Sequence, residues 1–176
     1  MRKLLWGLPA LAVATFAVFA PGAQGDVQAQ DPGIVIDAGD GEVGYSVNQF
    51  LPGTVTVAEG TTVTWQFPWM EPHVVAFVDG APPAEPAVTT DAEWPNDEGY
   101  VYSGDVFGNP DNPPTFSVTF PEAGTYQSFC PIHPLMVATV EVVADGEDVD
   151  TQADVDAPAE AEYATNLAAV KAVAAA

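Results

Sequence analysis

An all-β sandwich of seven to nine short strands is the fold class this sequence predicts, and three observations carry it. Apolar and polar residues alternate in short runs. Gly, Pro, Asn and Asp punctuate those runs. The one long stretch without alternation is so rich in proline that no regular helix can cross it. The pattern occupies residues 33–144, with a leader at 1–25, a short lead at 26–32, and an acidic, alanine-rich tail at 145–176.

In chain order, Arg2 and Lys3 precede an apolar run over residues 4–20, and Ala23 and Gly25 stand at the −3 and −1 positions of a cut before Asp26. This is the layout of a secretory signal peptide. Gly7 and Pro9 interrupt a run already short for a membrane span, and no cysteine follows it to take a lipid. The mature chain is therefore expected to work in the periplasm or outside the cell, with no membrane span after cleavage.

The strands then follow. Val63, Trp65 and Phe67 alternate with Thr62, Thr64 and Gln66; Phe116, Val118 and Phe120 alternate with Thr115, Ser117 and Thr119; Ala138, Val140 and Val142 alternate with Thr139 and Glu141. Each run offers one face to a core and one to water. Residues 73–78 are apolar on both faces, as expected of a strand covered on both sides. Further candidates centre near Ile34, Tyr45, Val55, Val101 and Phe129, with turns at Gly60 and Gly124. Seven prolines between residues 79 and 114 predict a long surface excursion carrying Trp94 and Tyr100. In the tail, eight acids predict disorder over the first half, and good helix formers with Leu167, Val170 and Val173 at helical spacing predict a short helix within 159–176.

Charge narrows the function classes. The 176 residues carry 25 Asp and Glu against three Lys and Arg, a formal net charge of -22, which repels phosphate backbones and excludes nucleic acid as a partner. With 48% apolar residues the chain can still bury a core, unlike acidic disordered proteins. Residues 33–144 hold fifteen acids and no Lys or Arg, so no such ion pair can form inside them. Stability must come from apolar burial, sheet hydrogen bonds and bound metal, with carboxylate repulsion opposing them unless salt screens it. The acidity therefore predicts either a halophilic or salt-tolerant source or a basic partner steered by the acidic surface.

The chemistry concentrates in Cys130-Pro131-Ile132-His133-Pro134-Leu135-Met136, where a thiolate, an imidazole and a thioether fall at i, i+3 and i+6. The only other histidine, His73, opens the most apolar strand. Taken singly, a cysteine is a small hydrophobe, a histidine a satisfied polar residue and a methionine filler. An exported chain with one unpaired cysteine, however, needs protection from oxidation, and metal ligation supplies it. Two imidazoles, a thiolate and a weak thioether make the donor set of a type 1 copper centre, whereas zinc gains little from a thioether. Pro131 and Pro134 limit the loop's freedom, which suits a site that must change little on redox cycling. Two histidines cannot furnish a second copper cluster, so a multicopper enzyme is excluded. Nucleophilic catalysis by Cys130 with His133 leaves the prolines and Met136 unexplained.

Residues 124–136, with Pro72-His73-Val74-Val75 upstream, resemble the cupredoxins of the plastocyanin and amicyanin group, and the two-residue gap between His133 and Met136 is similar to that of amicyanin. The resemblance spans about residues 34 to 143. It implies a Greek-key sandwich binding one copper through His73 Nδ1, Cys130 Sγ and His133 Nδ1, with Met136 Sδ as the long axial ligand. It further implies an electron carrier and not an enzyme, acting as a monomer, with redox partners docking near a more exposed His133 ringed by Ile132, Pro134 and Leu135. The alternative function is copper binding and delivery, which would favour exposed ligands and Met- or His-rich tracts. One departure stands out: plastocyanin-like proteins commonly carry Asn directly after the first histidine, tying the ligand loops together, and this chain has Val74.

Overall fold

A computed structural model describes residues 33–176, so the expected signal peptide and the 26–32 lead lie outside the described residues. The alternating runs form strands where the pattern places them. β1 spans Ile34–Glu42, β2 Tyr45–Leu51, β3 Thr54–Ala58 and β4 Thr61–Gln66. β5 is Pro72–His73, β6 Ala76–Val78, β7 Ala92–Glu93, β8 Tyr100–Tyr102 and β9 Val106–Phe107. β10 is Thr115–Phe120, β11 Gly124–Phe129 and β12 Val137–Val143, and a helix, α1, covers Gln152–Ala174.

One sheet runs β2-β1-β4-β10-β7, a second β3-β12-β11-β6-β8, and β5 pairs with β9 beside them. Consecutive strands change sheets from β2 to β3, from β3 to β4 and from β10 to β11, which is Greek-key wiring. β1 lies parallel to β4, and β3 parallel to β12.

Along β4 burial alternates strictly, putting Val63 and Trp65 inward. Val118 and Phe120 of β10 and Ala138, Val140 and Val142 of β12 do the same. Between the sheets Phe77 meets Trp65 edge-on at 5.7 Å and Phe120 at 5.6 Å. On the outer face of the first sheet, Thr62 bonds Thr119 at 2.9 Å and Thr64 bonds Ser117 at 2.8 Å, cross-strand pairs that the β4/β10 register sets opposite one another.

The twelve strands among the described residues exceed the seven to nine expected, and the surplus is short. The 73–78 run is split, because the Val74–Val75 peptides turn their N–H groups to side-chain acceptors instead of a ladder. The proline-rich segment also differs from a surface excursion. It supplies β7 to the edge of one sheet and β8 to the edge of the other, and it buries Ala92, Trp94 and Val101. Proline forbids a helix there but permits two- and three-residue strands at sheet edges, and Trp94 packs on Phe77 at 5.8 Å.

The tail corrects the sequence expectation most. Its first half is ordered and helical from Gln152 onward. Thr151 caps the helix through a reciprocal box with Asp154, and Pro158 is carried inside it. Composition hid this, because the helix gains its stability from docking and not from a broad apolar face. Only Val155 is buried. The Gln152 amide pairs with both backbone groups of Val35, at 2.9 Å each, where β2 no longer covers β1. Glu162 accepts the Gly53 N–H at 2.9 Å, and Asp150 accepts that of Thr56 at 2.6 Å. Near the helix end Lys171 pairs with Glu42 at 2.6 Å, with both side chains around two-fifths exposed, so the pair contributes at most about 1 kcal/mol.

This docking buries a carboxylate at an acidic seam. A cleft of about 410 Å³ between α1 and β1 is lined in part by Asp37, Gln66, Val155 and Asp156. Burial raises the Asp37 pKa to about 6, against the Gln66 amide donating to it at 2.6 Å, with the charges of Asp40 and Asp156 adding to the rise. A carboxyl whose folded pKa lies above its unfolded value stabilises the fold when protonated, and that contribution is lost as pH climbs from about 4 to about 6. Asp37→Asn, which keeps an acceptor for Gln66, is expected to stabilise the chain at pH 7.5 by about 1 kcal/mol, after discounting for solvent screening, and to be neutral at pH 4. Urea unfolding at the two pH values checks this; equal effects at both would refute the buried-charge account.

Candidate metal centre

The end of the sandwich where β11 hands over to β12 gathers the chemistry. Phe129 pairs with Val137 on the last rung of that hairpin, so Cys130 leaves one strand just as Met136 enters the next. Three backbone bonds close the loop between them. Cys130 N–H donates to the Met136 carbonyl at 2.9 Å, His133 N–H to that of Cys130 at 3.2 Å, and Met136 N–H to that of His133 at 3.1 Å. Closing so short a turn forces Leu135 to φ +74°, the left-handed region that L-residues avoid.

His73 arrives from the other side on β5, which β9 fixes by pairing His73 with Val106. Its Nδ1 lies 3.1 Å from His133 Nδ1, and that atom lies 3.6 Å from Cys130 Sγ. Ligand atoms of His73, Cys130 and His133 all fall within 4.8 Å of one another. His73, Cys130 and Met136 are buried, at 1%, 3% and 0% exposure, while His133 is half-buried. Around it Leu135 is 86% and Ile132 43% exposed.

The electrostatics favour a neutral donor. Burial, with the neighbouring His133 adding to it, lowers the His73 pKa to about 4, so its ring keeps a free lone pair at neutral pH. The Val74 N–H donates to Cys130 Sγ at 3.3 Å, supporting negative charge on sulfur. Val74 thus supplies from its backbone a bond to the cysteine even though its side chain ties nothing. His73 Nε2 is buried and has no hydrogen-bond partner among the described residues, so packing holds this ring where a hydrogen bond often would.

That packing comes from a residue not singled out in the sequence. Gly39 is at φ +78° where the β1/β2 register slips between Ala38 and Asp40, and the His73 ring fills the space that a Cβ at this position would need. The signal was present as glycine inside a strand pattern, which marks a bulge or close backbone approach. Ser103, in the proline-rich segment, was likewise not singled out, and no local pattern marks it. One soft sulfur and two borderline imidazoles, largely dry and preorganised by strands and backbone bonds, fit a thiophilic metal that exchanges single electrons, and the buried Met136 closes the same loop.

The family model described as copper binding proteins, plastocyanin/azurin family, matches residues 39–143. The chain is 31% identical over 140 residues to amicyanin of Paracoccus versutus, covering 74% of this chain and 92% of that one. It is 32% identical over 142 residues to amicyanin-alpha of Methylorubrum extorquens, covering 81% and 99% respectively. The crystal structure of Paracoccus versutus amicyanin superposes with a TM-score of 0.42 at 27% identity, over 67% of this chain and 86% of that one.

Proposed function

The chain belongs to the plastocyanin/azurin family of copper-binding proteins, and from that premise we propose that His73, Cys130, His133 and Met136 hold its single type 1 copper ion. The protein is a blue-copper electron carrier and not an enzyme. Convergence of His73 Nδ1, His133 Nδ1 and Cys130 Sγ at one buried point is the observation that supports this ligand set. Copper, when bound, supplies a one-electron couple.

The chain's own part is to keep geometry constant and water out. The 130–136 turn is closed by three backbone bonds and two prolines, and β5 is pinned by β9, so both halves of the donor set stay in place through a redox cycle. Three of the four proposed ligands are buried, which makes metal release slow and weighs against a delivery role.

His133 is the ligand whose ring reaches toward the surface, and the exposed Ile132 and Leu135 beside it form an apolar landing for a redox partner. A small apolar contact suits brief encounters. With fifteen acids and no Lys or Arg in residues 33–144, that partner is basic, and its association slows as salt rises. The 1–25 leader directs export to the periplasm or beyond. Among the described residues no helix is long and apolar enough to cross a membrane.

Copper-loaded protein is expected to show an intense visible thiolate-to-copper band that disappears in Cys130→Ser. A colourless copper-loaded wild type overturns the ligand set.

A further inference from the structure

Between β5 and β6 the chain runs through Val74 and Val75 with no strand partner for their N–H groups, and both residues are fully buried. A buried N–H must find an acceptor or cost the fold its desolvation. That of Val74 takes the Cys130 sulfur at 3.3 Å. That of Val75 takes the hydroxyl of Ser103 at 2.9 Å, across 28 residues of sequence. Ser103 grips the same residue twice, since its own N–H donates to the Val75 carbonyl at 3.0 Å.

Ser103 is itself held. Only 7% exposed, it donates its hydroxyl proton to the Gly104 carbonyl at 2.8 Å, so its one hydrogen is committed and its lone pair faces Val75. The preceding residue, Tyr102, is clamped by Thr89, with Thr89 N–H on the Tyr102 carbonyl at 2.8 Å and Tyr102 N–H on the Thr89 hydroxyl at 3.1 Å. β8 pairs with β6, setting Tyr102 opposite Ala76. The proline-rich segment therefore makes a rigid brace that ends in one hydroxyl.

We propose that Ser103 is a positioning residue for the Cys130 thiolate, holding the Val75 peptide so that the adjoining Val74 N–H points at sulfur. This rests on the copper reading above. A donor aimed at the thiolate draws charge from sulfur and weakens its donation to the oxidised metal, so the contact favours the reduced state. Loss of the Ser103 hydroxyl leaves the Val75 N–H buried without an acceptor, the segment shifts to relieve it, and the Val74 contact lengthens. Sulfur then donates more strongly and the reduction potential falls.

The test uses the full copper-loaded chain as wild type, Ser103→Ala, Ser103→Thr and Ser103→Val. Threonine keeps the hydroxyl and valine matches its bulk without it, so this pair separates hydrogen bonding from volume even if the alanine variant does not fold. Ser103→Ala and Ser103→Val are expected to show a lower potential and a displaced charge-transfer band, with Ser103→Thr at the wild-type values. In the metal-free chain the Val75 amide should exchange about tenfold faster in Ser103→Val than in Ser103→Thr. Wild-type potential and band in the valine variant, or a threonine variant displaced as far as valine, overturns the proposal. A wild type with no charge-transfer band overturns the copper reading itself and this proposal with it.

Discussion

Gly39→Ala is expected to cost the protein its copper site while leaving most of the sandwich assembled. A Cβ at this position would stand 2.6 Å from Cδ2 and 2.8 Å from Cε1 of His73, and closer still to Nε2, far inside van der Waals contact. The ring cannot retreat, being 1% exposed and held from behind by the β5/β9 pairing. The backbone cannot yield cheaply either, because φ +78° at the bulge costs an L-residue about 1–2 kcal/mol. Overpacking adds about 1–3 kcal/mol. Since the fold can relieve the clash only by swinging His73 away from His133 and Cys130, metal affinity is expected to fall at least about tenfold and the visible band to weaken in proportion. Titration with copper, read at the charge-transfer band, measures this. Wild-type affinity in Gly39→Ala would mean that the ring does not lie against the bulge.

Trp65→Ala carries the largest expected loss of stability, about 3–5 kcal/mol. Trp65 lies fully buried on the central strand β4, opposite Ile36 of β1 and Phe116 of β10, and edge-on to Phe77 of the other sheet. Its removal opens a cavity bounded by three strands that cannot collapse without breaking ladders. Trp65→Phe is expected to cost far less, within about 1.5 kcal/mol, because the indole N–H has no partner among the described residues and losing it removes a buried unsatisfied donor. Urea unfolding of the metal-free chain gives both numbers. A phenylalanine variant as damaged as the alanine one would show that the indole nitrogen is satisfied after all.

The legible parts of this protein share one property, that each depends on near neighbours in the chain. Val63, Trp65, Val118 and Val140 declare their inward faces by a period of two, and the strands confirm it residue by residue. Cys130, His133 and Met136 lie within seven residues, and His73 is the one remaining imidazole, so all four proposed donors are legible in the sequence. The helix formers of 159–176 were legible, but the start of the helix at Gln152 was not, because the first half of the tail has the composition of a solvated acidic segment and is held by a side-chain amide reaching Val35 across 117 residues. Burial of Trp94 by a segment whose prolines suggested only a surface loop escaped for the same reason.

By itself, then, the sequence determined the all-β class, the candidate metal donors and the acidic field around them, since residue type, period and net charge are local or additive properties. Only the tertiary structure decided that a bulge at Gly39 shapes the seat of His73 and that Ser103 bonds both backbone groups of Val75. It alone decided, too, that the tail closes the open edge of β1. These are close contacts between distant segments, and their energies depend on distances of a few tenths of an ångström that no local pattern encodes.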